Sequence, residues 1–160
     1  MSTDVALADP SATDAWGRRL GQTLPPRAVA YLRGDLGAGK SSLARAMLRS
    51  LGVRGPVKSP TYTLIERYPI TGGDAAHLDL YRIAGAGELE FLGLHDLAAD
   101  TRLWLVEWPE RGGAALPPAD LVLTLAVAGE GRQLQLLPRT DVGAHWLAAA
   151  LAVPDLQAPS

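Results

Sequence analysis

The run Gly34-Asp35-Leu36-Gly37-Ala38-Gly39-Lys40-Ser41 fits G-x-x-x-x-G-K-[ST] at every fixed position. Each fixed residue type meets a demand of phosphate binding. A chain that wraps a phosphate with its backbone N–H groups pointing inward needs angles that glycine tolerates best. A helix starting at Ser41 adds the positive end of its dipole and its unpaired N–H groups. Lys40 places a point charge between the outer two phosphates of a nucleoside triphosphate, and the Ser41 hydroxyl can ligate magnesium. Gly37, Ala38, Gly39, Lys40, Ser41 and the adjoining Ser42 are therefore the expected nucleotide-binding residues. Chance produces the pattern in roughly one chain of this size in a few hundred at ordinary residue frequencies. An apolar strand before the loop and an amphipathic helix after it lower that figure further.

Such a loop needs acids to organise the metal and the attacking group, and these belong at the C-terminal ends of neighbouring strands. Trp104-Leu105-Val106-Glu107 is an apolar run ending in a carboxylate. By itself it reads equally as a solvated strand end; beside the glycine loop, Glu107 reads as a metal-organising acid. In His77-Leu78-Asp79-Leu80-Tyr81, alternation puts His77, Asp79 and Tyr81 on one face. Asp79 then lies either on an exposed face or paired within a site, and the pattern leaves both open. Ser59-Pro60-Thr61 stands where a switch loop can sense a terminal phosphate, but the residues alone favour a Pro-fixed turn. His95 and His145 lack neighbouring ligands and read as surface or partner-facing. Trp16 and Trp146 fall on helix stripes and read as core. Trp108, between Glu107 and Pro109, is expected to leave its strand toward the rim of the site.

The elements that must hold these residues follow from periodicity. Residues 1–10 read as a loose arm. Ser11 to Leu24 reads as a helix on Trp16, Leu20 and Leu24, ended by Pro25-Pro26. Ala28 to Leu32 is a buried-strand candidate, and Ser41 to Leu51 a helix closed by Gly52. Thr61 to Tyr68 and His77 to Ile83 read as strands joined through Pro69 to Asp74. Glu88 to Leu97 reads as one helix, and Leu103 to Val106 as a second buried strand. Asp120 to Ala128 and Arg132 to Leu137 form a hairpin across Gly129-Glu130-Gly131, Val142 to Val153 a closing helix, and residues 154–160 a tail. The expected class is a single α/β domain with a mixed β-sheet flanked by helices.

The 160 residues suit one domain, and 48% apolar with 20% charged residues is a globular composition. With no cysteine, disulfides and thiolate zinc sites are excluded. The first nine residues carry two Asp and no basic residue, and no run of eighteen apolar residues exists, so a cytoplasmic chain is expected. A net charge of −2 argues against independent nucleic-acid binding, which draws on a basic surplus. Thirteen of the fifteen basic residues are Arg. The two Lys, Lys40 and Lys58, hint at sites wanting a compact ammonium, a reading strong for Lys40 and even with plain surface charge for Lys58.

Taken together, GDLGAGKSS, VKSPTYTLIERY, HLDLYRI, ELEFLGL and LVEWPE, in that order, resemble the TsaE (YjeE) family, ATPases of the machinery that makes threonylcarbamoyladenosine in tRNA. The resemblance runs from about Leu7 to Leu137. It implies a small P-loop domain that binds ATP and Mg2+, with Lys40, Ser41 and Glu107 handling the terminal phosphate and metal and Asp79 a further catalytic acid. It also implies that Ser59 to Thr61 form a switch loop and that Trp108 is needed for activity. The arm around Leu7 to Thr13 would pack near the adenine, and Arg132 would be a further nucleotide contact. The implied partners are a threonylcarbamoyl-transferring enzyme (TsaD-like) and its dimerising, inactive paralogue (TsaB-like), with tRNA reached only through that complex. Ser42 stands where many relatives carry Thr. Among rival readings, a small-molecule kinase needs an arginine-bearing lid, for which only Arg111 near Gly112-Gly113 offers a start. A GTPase needs an Asn-Lys-x-Asp stretch, which the chain lacks. A nucleotide-sensing module without turnover of its own is the third.

Overall fold

Strand β2 (Ala28–Arg33) is the axis of the computed structural model, which describes residues 2–60, 63–90 and 93–154. It pairs in parallel with β5 (Thr101–Glu107) on one side and β6 (Leu121–Ala128) on the other. Strand β4 (Gly73–Asp79) adds in parallel to β5. The pairings outside these four are antiparallel: β7 (Gly131–Pro138) on β6, β1 (Thr3–Leu7) on β7, and β3 (Ile65–Ile70) on β4. The result is a mixed seven-stranded sheet of order β1-β7-β6-β2-β5-β4-β3.

Period-two alternation divides the core into two layers. Ala28, Ala30, Leu32, Leu103, Leu105, Leu121 and Leu123 face helices α1 (Pro10–Gln22), α2 (Lys40–Ser50) and α5 (Asp141–Ala152). Ala76, Leu78, Trp104 and Val106 face α3 (Ala86–Glu90) and α4 (Leu94–Ala98) on the other side. Trp16 and Trp146 are buried as their stripes predict, and the Trp146 indole N–H donates to Leu20 O at 2.9 Å, tying α5 to α1. Helices α1 and α2 approach closely because Gly17 and Gly21 face Ala46, Met47 and Ser50; a Cβ at Gly17 would stand 2.3 Å from that of Ala46. The Tyr31 hydroxyl donates to Pro117 O at 2.5 Å, and burial pushes its phenol above the ordinary range. Among the described residues no helix is long and apolar enough to cross a membrane.

Four expectations are corrected. The loose arm is strand β1, paired Thr3↔Leu136 through Leu7↔Arg132. Its half-exposed edge position needs few apolar residues, so the pattern is faint. The strand drawn to Ile83 ends at Asp79, because the Asp79 carboxylate accepts the Tyr81 N–H at 3.0 Å and turns the chain. The single helix drawn over 88–97 is two short ones, broken where Gly93 takes φ 70. Strand β3 begins only at Ile65, after Leu64 at φ 68, and its connection to β4 is shorter than drawn. Thr61, the side chain of His95 and residues 155–160 lie outside the described residues.

Candidate functional site

The glycine-rich loop joins the C-terminal end of β2 to α2, as the motif requires. Gly34 takes φ 143 so close to β6 that a Cβ would come within 2.3 Å of Leu125 O. Gly39, at φ 106, opens α2 without a capping side chain, and no acid lies in the first turn. The first N–H groups of α2 therefore face the loop with no side-chain acceptor, the usual setting for an anion.

Register brings the acids to the loop. Leu32 of β2 pairs with Glu107, and Glu107 with Asp79, so both carboxylates end adjacent parallel strands. The Ser41 hydroxyl lies 3.3 and 3.4 Å from the two Glu107 carboxylate oxygens. Lys40, buried, donates through Nζ to Gly34 O at 2.5 Å and Asp35 O at 2.9 Å. Its ammonium also stands 4.5 Å from the centre of the Trp108 ring. Trp108 does leave the strand: its φ of 57 swings the ring across the loop, where it packs 4.9 Å from Tyr81. Asp79 and Glu107 are both buried, so Asp79 does not lie on an exposed face.

Sequence reasoning missed His77. Its Nε2 lies 2.6 Å from Glu107 Oε2, with both side chains almost wholly enclosed. The available signal was its i, i+2 relation to Asp79, which fixes a shared face but not which face the neighbouring strand would cover.

A cavity of about 670 Å3 adjoins the loop beside α1, lined by Leu7, Asp9, Thr13, Gly39, Ser42 and Arg132, among others. Asp9 caps α1 by accepting the Ala12 N–H at 2.9 Å, and Thr13 is buried one turn on. Arg132 donates to Gly37 O at 3.3 Å, joining the hairpin to the loop. Gly131 lets β1 pass, since a Cβ there would meet Leu7 O at 2.4 Å. Ala38 is buried within the loop and Gly37 is exposed at it.

Other expected residues lie at the surface. Ser59 is exposed in the connection from α2 to β3, beside buried Pro60, whose carbonyl accepts the Leu64 N–H at 2.8 Å. Lys58 is exposed, its backbone N–H held by the Tyr68 hydroxyl at 3.2 Å. His145 is exposed on α5. Arg111 is exposed with its guanidinium 5.5 Å over the Tyr81 ring, outside the loop.

Comparison with known proteins finds relatives along most of the chain. A family profile described as "Threonylcarbamoyl adenosine biosynthesis protein TsaE" matches residues 7–134. A Haemophilus influenzae protein named "tRNA threonylcarbamoyladenosine biosynthesis protein TsaE" is 44% identical over 121 residues, covering 76% of this chain and 77% of its own. A protein of the same name from Synechocystis is 42% identical over 114 residues, covering 69% and 72%. A crystal structure of YdiB from Bacillus subtilis superposes with TM-score 0.80 at 24% identity, over 94% of this chain and 95% of that one, a likeness of fold. With its profile matched over most of its length and its relatives aligned across more than two thirds of theirs, the chain belongs to the TsaE family of threonylcarbamoyl adenosine biosynthesis proteins.

Proposed function

We propose that this chain binds ATP with magnesium at the glycine-rich loop and hydrolyses it in support of threonylcarbamoyladenosine formation in tRNA. The observation that carries the reading is the meeting of Lys40 and Ser41 with Glu107 and Asp79 at the C-terminal ends of three adjacent strands. In phosphoryl transfer to water, a bond forms between the water oxygen and the terminal phosphorus as the bond to ADP breaks, and positioning and charge are what a protein contributes. Lys40 supplies a positive charge to the outer phosphates, and the N–H groups opening α2 cradle the chain of phosphates. The Ser41 hydroxyl and Glu107 carboxylate are hard oxygen donors side by side, a set that suits magnesium. Among the described residues no group of three or more His, Cys, Asp or Glu could hold a metal alone, and magnesium typically takes only one or two carboxylates beside phosphate oxygens. Bound magnesium supplies neutralisation of the charge that builds between the outer phosphates. Asp79, one strand beyond, then serves to orient the attacking water and accept its proton.

The cavity beside Leu7, Asp9 and Thr13 takes the base and ribose, with Arg132 along the phosphates. Trp108 holds the Lys40 ammonium over its ring and gives the site an aromatic rim. The family's pathway supplies the setting: a threonylcarbamoyl-transferring enzyme and its inactive paralogue are the partners this reading requires, in the cytoplasm, with tRNA bound through them. The deciding experiment measures phosphate release from ATP by the chain alone and with those two subunits, against phosphate transfer to a panel of metabolites. Release stimulated by the subunits is expected; transfer to an acceptor without release would replace this reading with a kinase.

A further inference from the structure

We propose that His77 is a positioning residue for Glu107: its Nε2–H fixes the carboxylate facing Ser41, and so sets the affinity of the site for magnesium. The inference rests on the reading of Ser41 and Glu107 as the magnesium-holding pair. Strand β4 alternates so that His77 and Asp79 share a face, and His77 pairs in register with Leu105 while Asp79 pairs with Glu107. The imidazole therefore reaches diagonally along β5 to the Glu107 side chain, at 2.6 Å. Glu107 is held from two directions, by His77 at Oε2 and by the Ser41 hydroxyl at 3.3 and 3.4 Å from its two oxygens.

The ring's other nitrogen identifies the donor. His77 Nδ1 is buried and has no hydrogen-bond partner among the described residues. A proton there would be an enclosed N–H with no acceptor, an arrangement folded proteins avoid. The proton belongs on Nε2, where a carboxylate oxygen accepts it. A carboxylate pinned on one oxygen no longer rotates about its last torsion, so Ser41 always meets it in the same orientation. Partners of this kind behind a metal ligand typically change metal affinity or activity about 10- to 100-fold when removed. Asp79, already accepting the Tyr81 N–H, is fixed separately by its own turn.

The test compares the unmodified chain with His77→Leu and His77→Gln, titrating magnesium against binding of a fluorescent ATP analogue and against turnover with the partner subunits present. His77→Leu is expected to raise the magnesium needed for half-maximal binding about 10- to 100-fold, leaving binding in EDTA unchanged. His77→Gln should recover most of the loss, because its amide N–H reaches the same carboxylate oxygen. Nitrogen NMR of the unmodified, nucleotide-free chain should show the ring proton on Nε2, a readout that does not depend on turnover or on either variant folding. Unaltered magnesium dependence in His77→Leu, equal loss in EDTA, no recovery in His77→Gln, or a ring protonated at Nδ1 would each overturn the proposal. An unmodified chain that binds no magnesium-ATP would instead overturn the nucleotide reading, and this inference with it.

Discussion

Lys40 makes three contacts within its own chain, to Gly34 O, Asp35 O and the Trp108 ring, so its removal takes a charge and a tether from the loop together. Lys40→Ala is expected to cost about 2–5 kcal/mol of ATP affinity, the usual effect of truncating one partner of a buried charge pair, read by calorimetry. Unchanged affinity would remove Lys40 from the site. Glu107 and Asp79 divide more sharply. Glu107→Ala should weaken magnesium-dependent nucleotide binding and slow turnover, whereas Asp79→Ala should leave binding near normal and cut kcat by about a hundredfold, as for a lost catalytic acid or base. Paired binding and turnover constants, with the partner subunits present, decide it; two mutants hydrolysing at the unmodified rate would dismantle the site. Both acids are buried, so neither substitution is silent for folding: Glu107→Ala strands the His77 N–H at a cost of about 1–3 kcal/mol. Lys40, Ser41 and Glu107 were legible because local motif and strand pattern name them. His77 was not, since its meaning lies in a partner thirty positions away.

The seam between α1 and α2 is the element on which both the loop and the cavity depend. A Cβ added at Gly17 would stand 2.3 Å from the Ala46 Cβ and 3.0 Å from the Ala46 and Met47 backbone, atoms that cannot swing aside. Alanine there would gain helix propensity of about 1 kcal/mol, yet the overpacking costs about 1–3 kcal/mol. Gly17→Ala is therefore expected to lower stability on balance in a urea melt, and to loosen nucleotide binding by tilting the helix that carries Lys40 and Ser41. A more stable Gly17→Ala chain would show the seam to be slack. Strong periodicity made α1, α2, β2 and β5 readable to within a residue or two. Where the reading failed, the decisive force was not periodic: backbone pairing along an exposed edge for β1, an Asp79 side chain capturing an amide at the end of β4, and a left-handed glycine between α3 and α4. At the opposite edge, β3 carries Pro69 and the Arg67–Asp74 ion pair at 2.5 Å, features that discourage further strand addition.

At the scale of the whole molecule, the net charge of −2 sets the expectation for RNA. The purified chain should bind tRNA no more tightly than about 10−4 to 10−6 M at physiological salt, the range of non-specific association. Submicromolar binding that resists added salt, in a filter or anisotropy assay, would contradict it. The sheet's outer edge also carries a consequence for biosynthesis. Strand β1 precedes the glycine loop in the chain, yet its partner is β7, with Thr3 opposite Leu136. The wall that Leu7 gives the cavity, and the Arg132 tie to Gly37, must wait until β7 has been translated. A nascent chain already owns its complete glycine loop by residue 41, but the wall of the neighbouring cavity arrives only with β7, so under the proposed function unfinished molecules would pass through the cell's ATP pool without retaining nucleotide.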